Sequence, residues 1–490
     1  MIYENPIILS DYSDPDVIRV KDNYYMVASS FNHTPALPIL KSKNLVDWKL
    51  LRYAFDELPF EKYNEVCHGD AVWAPSIRYH NNKYYIIIPF PDEGVFVTET
   101  ADIENGEFSP LRKLIDIKGI IDPCPLWLND KCYLVVGFAK SRIGFNSCLG
   151  LFEVSNDLTK NLSGDYKIIF DGHNTQPTIE GPKFYYINDY IYILAPAGSV
   201  KAGWQVALRS KNIYGPYEEK IIMLQNDSKI NGPHQGALID LPNNKWAFIH
   251  FQDRLAYGRI VHLQPVEWHN DWPLCGDIKD PLLGGTPVSQ HEYLVDKKSN
   301  YRLEYQDDFK SNKLSLMWQT PANKTYDFYR FDDGLILNAC YHEKSLDELN
   351  LYPNSLLTKI IMEKFKVEVK VSLKLNDNDE AGFMYMGMAY SYIAVKKING
   401  QNHLLLKSGE FKNKDIILED IIYDSDEIIF NMKFFDNQTY ALGYNGKYFK
   451  NVFTAKPGRW IGGKYGIYAR SFNENSNGYA CFKYFKVRRK

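Results

Sequence analysis

The sequence lacks long apolar runs and any excess of positive charge. Among its 490 residues, no apolar stretch approaches the roughly 18 residues of a membrane-spanning helix, so we expect no membrane contact. The 57 basic and 60 acidic residues give a net charge of −3 without a Lys/Arg block, which argues against nucleic acid as a partner. The N-terminus has no basic region followed by an apolar core, which predicts a cytoplasmic location unless a signal has been trimmed.

Cysteines are few, and their spacing suggests no paired motif. The seven cysteines are scattered and include no CxxC pair. This pattern predicts reduced and mostly buried thiols rather than a disulfide framework or a zinc site. GxGxxG, Walker and HExxH motifs are also missing, so nucleotide-binding and zinc-protease functions have no support.

A hairpin motif recurs in the first 300 residues. Five segments share a short apolar run, a polar turn and a second run rich in aromatic and branched residues; they begin at Asp14, Ala74, Asp122, Glu180 and Gly236. The polar pairs that suit tight turns are Asp22-Asn23, Asn81-Asn82, Asn129-Asp130, Asn188-Asp189 and Asn243-Asn244. A sandwich would also contain hairpins, but one motif recurring every ~50–60 residues favours a five-bladed β-propeller with four strands per blade.

The sequence pattern changes near residue 300. Alternating apolar and polar residues continue to the C-terminus, but the hairpin motif is gone and helical patterns are almost absent. Such a run predicts a two-sheet β-sandwich. We therefore predict an all-β protein with a propeller domain at residues 1–295 and a sandwich domain at residues 303–490.

Three of the repeats carry a carboxylate in the same register. Asp14, Asp122 and Glu180 each lie seven or eight residues before the hairpin turn, at the start of the first strand of blades one, three and four. The first strands of a propeller line its axis, so these side chains should meet there, although an isolated acidic residue before a strand is often only a turn former. Paired carboxylates, one protonated and one ionised, are what glycosidic bond cleavage requires. A third carboxylate can raise the pKa of the acid by repulsion.

The same segments resemble those of glycoside hydrolase family 43. They are SDPDVIR (13–19), WAPSIRYHNNKYYI (73–86), IDPCPLW (121–127), IEGPKFYY (179–186) and YGRIVHLQPVEW (257–268). The tail, from DDF (307–309) through AGFMYMGMAYSYIAVKK (381–397), resembles the sandwich domain of xylosidase-type members. The resemblance implies an inverting β-xylosidase or α-L-arabinofuranosidase that acts on an oligosaccharide.

The resemblance also implies a role for each carboxylate. Asp14 matches the general base that activates water, and Glu180 matches the general acid. Asp122 matches the residue that orients the acid and tunes its pKa. A single displacement with inversion needs the acid and base roughly 6.5–9.5 Å apart.

Four further residues match substrate-binding positions of the family. Trp73 resembles a sugar-stacking wall, although a buried core tryptophan would look the same, and Phe31 could line the pocket of the terminal sugar. Arg259 resembles an arginine beside that sugar, with a surface ion pair as its alternative. His234 resembles an axial histidine that binds a metal or its water in some members, with a structural histidine as its alternative. We expect no required cofactor, and a calcium ion near His234 is the metal that the resemblance allows.

Two other functions compete with this interpretation. Related five-bladed enzymes that act on fructosides with retention typically show NDPNG, RDP and EC, where this chain reads SDPDV, IDP and EGP. A non-catalytic carbohydrate-binding propeller would need the groove but not three carboxylates. The C-terminal sandwich favours release of terminal xylosyl or arabinofuranosyl groups, and the sequence does not decide between the two sugars. The sequence also leaves the oligomeric state open, and a homo-oligomer is possible.

Overall fold

The computed structural model describes residues 1–324 and 328–489. The described chain is built of strands, which confirms the all-β prediction. Its single α-helix, α1, has four residues (Lys140–Ile143). Five short 3₁₀ turns are found at Glu61–Asn64, Pro242–Asn244, Leu255–Tyr257, Glu343–Ser345 and Leu349–Leu351.

The N-terminal part is a five-bladed propeller, as predicted. Each blade is an antiparallel sheet of four consecutive strands, β2–β5, β6–β9, β10–β13, β14–β17 and β18–β21, and β1 pairs with β22 outside the blades. The strands are β1 (Ile2–Glu4), β2 (Asp16–Val20), β3 (Asn23–Val27), β4 (Ala36–Ser42), β5 (Trp48–Phe55), β6 (Ser76–His80), β7 (Lys83–Phe90), β8 (Gly94–Thr100), β9 (Arg112–Ile115), β10 (Ile120–Leu128), β11 (Lys131–Phe138), β12 (Cys148–Val154), β13 (Lys167–Asp171), β14 (Lys183–Ile187), β15 (Tyr190–Ala197), β16 (Trp204–Ser210), β17 (Glu218–Met223), β18 (Gly236–Asp240), β19 (Trp246–Asp253), β20 (Arg259–His269), β21 (Trp272–Cys275) and β22 (Gln290–Glu292).

The hairpin turns explain why the repeat is visible in the sequence. The predicted pairs that form two-residue turns, with both residues at positive φ, are Asn81-Asn82, Asn129-Asp130 and Asn188-Asp189. Asn and Asp tolerate that conformation better than other side-chain-bearing residues. In the first blade Val20 pairs with Asn23, so the turn is Lys21-Asp22, one residue before the predicted pair. In the fifth blade Asp240 pairs with Trp246, so a five-residue loop replaces the tight turn predicted there.

The ring is closed by the N-terminal segment, which lies on the last blade. Ile8 and Val261 exchange two backbone hydrogen bonds of 3.3 and 3.0 Å. The Asn5 side chain donates to the carbonyl of Leu263 and accepts from its amide, both at 2.8 Å. The segment that leads into the first blade is therefore anchored on blade five, and this fixes the first and last inner strands beside each other.

The C-terminal part is a β-sandwich, as predicted. One sheet has eight strands in the order β23-β24-β37-β27-β32-β33-β34 with β35 on β33, and the other has seven in the order β25-β36-β28-β29-β30-β31 with β26 on β36. The strands are β23 (Tyr329–Phe331), β24 (Leu335–Asn338), β25 (Cys340–Tyr341), β26 (Leu356–Lys359), β27 (Phe365–Lys374), β28 (Asp379–Met386), β29 (Ala389–Ile398), β30 (Gln401–Glu410), β31 (Ile416–Ile422), β32 (Glu427–Phe434), β33 (Thr439–Tyr444), β34 (Lys447–Tyr448), β35 (Phe453–Thr454), β36 (Lys464–Ser471) and β37 (Tyr479–Arg489). In β27 every second residue is buried, which is the pattern of a strand with one face on the core.

The sandwich packs against the loops at one end of the propeller. Thr34 and Thr320 pair through backbone bonds and through their hydroxyl groups, which lie 2.7 Å apart. On the other side of the contact, the amide of Gly463 donates to the carbonyl of Ala256 at 2.8 Å. The loop between β35 and β36 is thereby held over the propeller face. The predicted domain division, between residues 295 and 303, falls in the segment between β22 and β23.

Candidate active site

The inner strands bring four polar side chains to one end of the propeller axis. Asp14 and His234 each lie two residues before their inner strand, β2 and β18, and Glu180 lies three before β14. Asp122 differs slightly from the prediction, because it lies inside β10 at a bulge between Ile121 and Cys124. Asp14 and Asp122 have φ of 55° and 54°, a conformation that costs non-glycine residues free energy and is concentrated at functional sites.

All seven site residues predicted from the sequence line a single cavity of about 570 Å³. They are Asp14, Phe31, Trp73, Asp122, Glu180, His234 and Arg259. This volume is in the range of small-molecule sites. A larger groove of about 1090 Å³ runs along residues 300–317 between the two domains, but it contains none of the seven. The structure thus brings together residues that are up to 245 positions apart in the sequence.

Asp14 is held by an arginine and a serine. The Nη1 group of Arg259 lies 3.0 and 3.1 Å from its two carboxylate oxygens, and the Ser29 hydroxyl donates to Oδ2 at 2.6 Å. Arg259 is in turn positioned by Asp11, whose Oδ1 accepts the Arg259 backbone amide at 2.9 Å. The preceding residue must be glycine, because a Cβ on Gly258 (φ +77°) would lie 2.4 Å from that same carboxylate. The ion pair fits an ionised Asp14.

Asp122 is buried and is held by the backbone of the neighbouring blade. Its Oδ2 accepts the backbone amide of Gly181 at 2.8 Å. Burial, followed by repulsion from Asp14, raises the pKa of Asp122 to about 6. The carboxylate is therefore ionised at neutral pH and protonated in mild acid.

Glu180 has the most strongly displaced pKa of the carboxylates. Burial raises its pKa to about 8, with a further rise from the charge of Asp122, while Arg259 acts in the opposite direction. About 33% of the side chain is exposed, and it faces the cavity. Glu180 is thus protonated at neutral pH, whereas Asp122, with its lower pKa, is ionised. This division of protonation states is what sugar hydrolysis requires.

His234 is a neutral group beside the acid. Its Nε2 lies 3.4 Å from Oε1 of Glu180, and neither ring nitrogen has a hydrogen-bond partner among the described residues. Burial, helped by the charge of Arg259, lowers the pKa of His234 to about 3. No group of three or more His, Cys, Asp or Glu side chains that could hold a metal ion is found in residues 1–324 and 328–489.

Aromatic rings form one wall of the cavity. Phe31 and Trp73 meet edge to face with centroids 6.3 Å apart, and the Trp73 indole donates to the carbonyl of Gly69 at 2.9 Å. Trp73 is only partly buried, so it is a cavity wall and not a core residue. On its other side, Trp460 of the sandwich lies 6.4 Å away and also lines the cavity. The guanidinium of Arg142 lies over the Trp73 ring at 5.0 Å.

Trp460 and Arg142 were not predicted from the sequence. Trp460 lies in the loop KPGRWIGG, where an aromatic residue among glycines was the available signal. Arg142 lies in α1 and forms ion pairs with Asp70 at 2.6 Å and Asp92 at 3.3 Å. Both residues reach the site only through the tertiary fold, so the hairpin repeat gives no indication of either.

Three carboxylates that face one cavity on a propeller axis, one of them with a strongly raised pKa, fit the chemistry of a glycoside hydrolase. The chain belongs to glycosyl hydrolases family 43, whose family model matches residues 3–273. Residues 306–488 match the beta xylosidase C-terminal concanavalin A-like domain. These findings support an enzyme rather than a non-catalytic sugar-binding propeller.

Individual relatives agree with the family assignment. A beta-xylosidase of Formosa agariphila is 27% identical and is aligned over 99% of this chain and 90% of its own length. A non-reducing end alpha-L-arabinofuranosidase of Bacteroides ovatus is 28% identical over 67% of this chain and 62% of that protein. The crystal structure of the GH43 BlXynB protein from Bacillus licheniformis has a TM-score of 0.83 over 100% of both chains at 21% identity, which supports the fold. No helix in the described part of the chain is long and apolar enough to cross a membrane.

Proposed function

We propose that this protein is an inverting exo-glycosidase that releases terminal xylosyl or arabinofuranosyl groups from oligosaccharides. The observation that carries the proposal is the contrast between Glu180, whose pKa is raised to about 8, and Asp14, which is paired with Arg259. A retaining enzyme would use its second carboxylate as a nucleophile. In the proposed inverting enzyme, Asp14 is the base that activates a water molecule. This is the role that the family resemblance implies for its position.

The proposed mechanism uses one displacement. Glu180 gives its proton to the glycosidic oxygen as the bond from that oxygen to the anomeric carbon breaks. Water attacks the anomeric carbon from the opposite face and loses a proton to Asp14. The sugar leaves with inverted configuration, Asp14 holds one proton and Glu180 has lost one. Asp122 keeps Glu180 protonated until substrate arrives, because its negative charge opposes ionisation of the acid.

The exo specificity is supported by the wall that the sandwich adds. Trp460 of the sandwich lines the cavity beside Trp73 of the propeller. We take this added wall as support for binding the end of a sugar chain rather than its middle. The names of the two relatives, a beta-xylosidase and a non-reducing end alpha-L-arabinofuranosidase, support both terminal sugars.

Hydrolysis of chromogenic glycosides tests the proposal. We expect the protein to hydrolyse p-nitrophenyl β-D-xylopyranoside, α-L-arabinofuranoside or both, and Glu180→Ala and Asp14→Ala to lose about 10²-fold or more in kcat/KM. Asp240→Asn is the matched control, because Asp240 is an exposed carboxylate on the inner strand of blade five. If neither glycoside is cleaved, the substrate assignment is wrong. If both active-site variants match the wild type, the mechanistic assignment is wrong.

We further propose that activity requires no metal ion. Ca²⁺ takes six to eight oxygen ligands, and the imidazole of His234 supplies none. A calcium ion there would have to be held mainly through water, next to ring nitrogens without hydrogen-bond partners in the described chain. We expect EDTA to leave activity unchanged. Loss of activity in EDTA with recovery on adding calcium would contradict this proposal and would favour an ion beside His234.

Cytoplasmic location, the absence of nucleic-acid binding and the oligomeric state stay predictions. Cell fractionation tests the first, and retention on a nucleic-acid column tests the second. Light scattering coupled to size-exclusion chromatography distinguishes a monomer from a homo-oligomer.

A further inference from the structure

A lysine is buried in the propeller channel just below the carboxylates. Lys183 is the first residue of β14 and is 0% exposed. Its ammonium donates one hydrogen bond, of 3.4 Å, to the Ser76 hydroxyl. Within the described ranges no carboxylate oxygen lies within the 4.0 Å that defines an ion pair with this group. Burying an ammonium without a direct partner is costly, so its position calls for an explanation.

Two chains of contacts connect β14 with Asp122. Lys183 donates to Ser76, and the Ser76 hydroxyl donates in turn to the carbonyl of Pro123, the residue that follows Asp122. Two residues before Lys183, the amide of Gly181 donates to the Asp122 carboxylate at 2.8 Å. The ammonium is thereby fixed beneath the backbone bulge that carries Asp122.

Two other cations of the channel already have carboxylate partners. Asp16 is paired with Arg78 at 2.7 Å, and Asp14 is paired with Arg259. Lys183 is a further cation that acts on Asp122, beside Arg259, which acts on both Asp122 and Glu180. Burial and the charge of Asp14 raise the pKa of Asp122, and the positive charge of Lys183 lowers it. The nearby Tyr185 carries no charge at neutral pH, because burial raises its pKa.

We propose that Lys183 is a positioning residue that keeps Asp122 ionised and in place beneath Glu180, and that it thereby sets the lower pH limit of catalysis. The inference rests on the proposed function, since it assumes that Asp122 must be ionised for turnover. Lys183 touches neither the cavity nor a reacting atom, so its effect on the reaction passes through Asp122.

The pH profile of Lys183→Met tests the proposal. Loss of a nearby positive charge raises the pKa of a carboxylate, so the acidic limb of kcat/KM should move up by about one pH unit. At a pH below the limb this corresponds to about a tenfold loss of activity. Lys183→Arg, which keeps the charge, should retain the wild-type limb more closely than Lys183→Met does. Lys183→Gln takes the place of the methionine variant if that variant does not fold.

Lys407→Met is the matched control. Lys407 is also buried and lies in the sandwich, where it pairs with Glu380 at 3.2 Å. Its loss should lower the melting temperature and leave the acidic limb in place. An equal shift of the limb in Lys407→Met would show a general effect of stability and would overturn the proposal.

A second readout does not depend on hydrolysis. In protein labelled with ¹³C at the aspartate carboxyl, the Asp122 resonance is assigned from its loss in Asp122→Asn, and its titration midpoint should rise in Lys183→Met. An unchanged midpoint would overturn the inference about Lys183. A raised midpoint in a protein that cleaves no glycoside would support that inference and contradict the proposed function instead.

Discussion

Asp122→Asn separates the charge of Asp122 from its shape. In the wild type the Gly181 amide donates a hydrogen bond of 2.8 Å to the Asp122 carboxylate. The asparagine can still accept this hydrogen bond, but it carries no charge. The pKa of Glu180 is raised from 4.5 to about 8, first by burial and second by Asp122. Burial persists in the variant, so only the second contribution is lost. A neighbouring like charge raises a pKa by about one unit or more, equivalent to about 1.4 kcal/mol.

The basic limb of the pH profile should therefore fall from near pH 8 towards pH 7. A fall of one unit would lower the protonated fraction of Glu180 at pH 8 about fivefold. The assay is kcat/KM for a p-nitrophenyl glycoside from pH 5 to pH 10, with Asp240→Asn as the control whose limb should not move. Maximal activity will fall as well, so the test compares the pH at which the basic limb lies and not the height of the profile. A limb that stays in place or moves upward would refute the proposed role of Asp122.

Three further predictions concern stability, the aromatic wall and the packing below the acid. Because the folded-state pKa of Glu180 lies above 4.5, wild-type stability should fall as the pH rises from 4.5 to about 8. Glu180→Gln should therefore gain in melting temperature over the wild type across that window, and a constant difference would contradict the raised pKa. Trp460→Ala should raise KM about two- to tenfold with little change in folding, whereas Tyr448→Ala, an exposed aromatic elsewhere on the sandwich, should leave KM unchanged. Gly137→Ala would place a Cβ 3.3 Å from Oδ2 of Asp122, so it should lower kcat several-fold and reduce stability by about 1 kcal/mol; an unchanged kcat would show that Asp122 tolerates displacement.

Much of the fold is predictable because it repeats. Polar pairs such as Asn81-Asn82 adopt the positive φ that two-residue hairpins need, and they mark the blades at regular intervals. Once the blades are counted, the shared register of Asp14, Asp122 and Glu180 is enough to predict that they converge. The scattered cysteines are likewise informative: all seven are free and five are buried.

The remaining details depend on tertiary contacts that leave no local pattern. The first turn shifts to Lys21-Asp22, because strand pairing and not composition fixes the register there. Trp460 reaches Trp73 only because the sandwich docks on the propeller face. The protonation of Glu180 results from burial and from the charge of Asp122, which lies in another blade. Sequence pattern can indicate which carboxylates meet, but their charge states follow from the folded site.

The stereochemistry of the released sugar tests the central claim most directly. A proton NMR time course of hydrolysis by the wild-type protein shows which anomer appears before mutarotation mixes the two. If Glu180 and Asp14 act as acid and base in one displacement, a β-xyloside must first release α-xylose. First appearance of β-xylose would show that the configuration is retained, and it would contradict the assignment of Asp14 as the base that activates water.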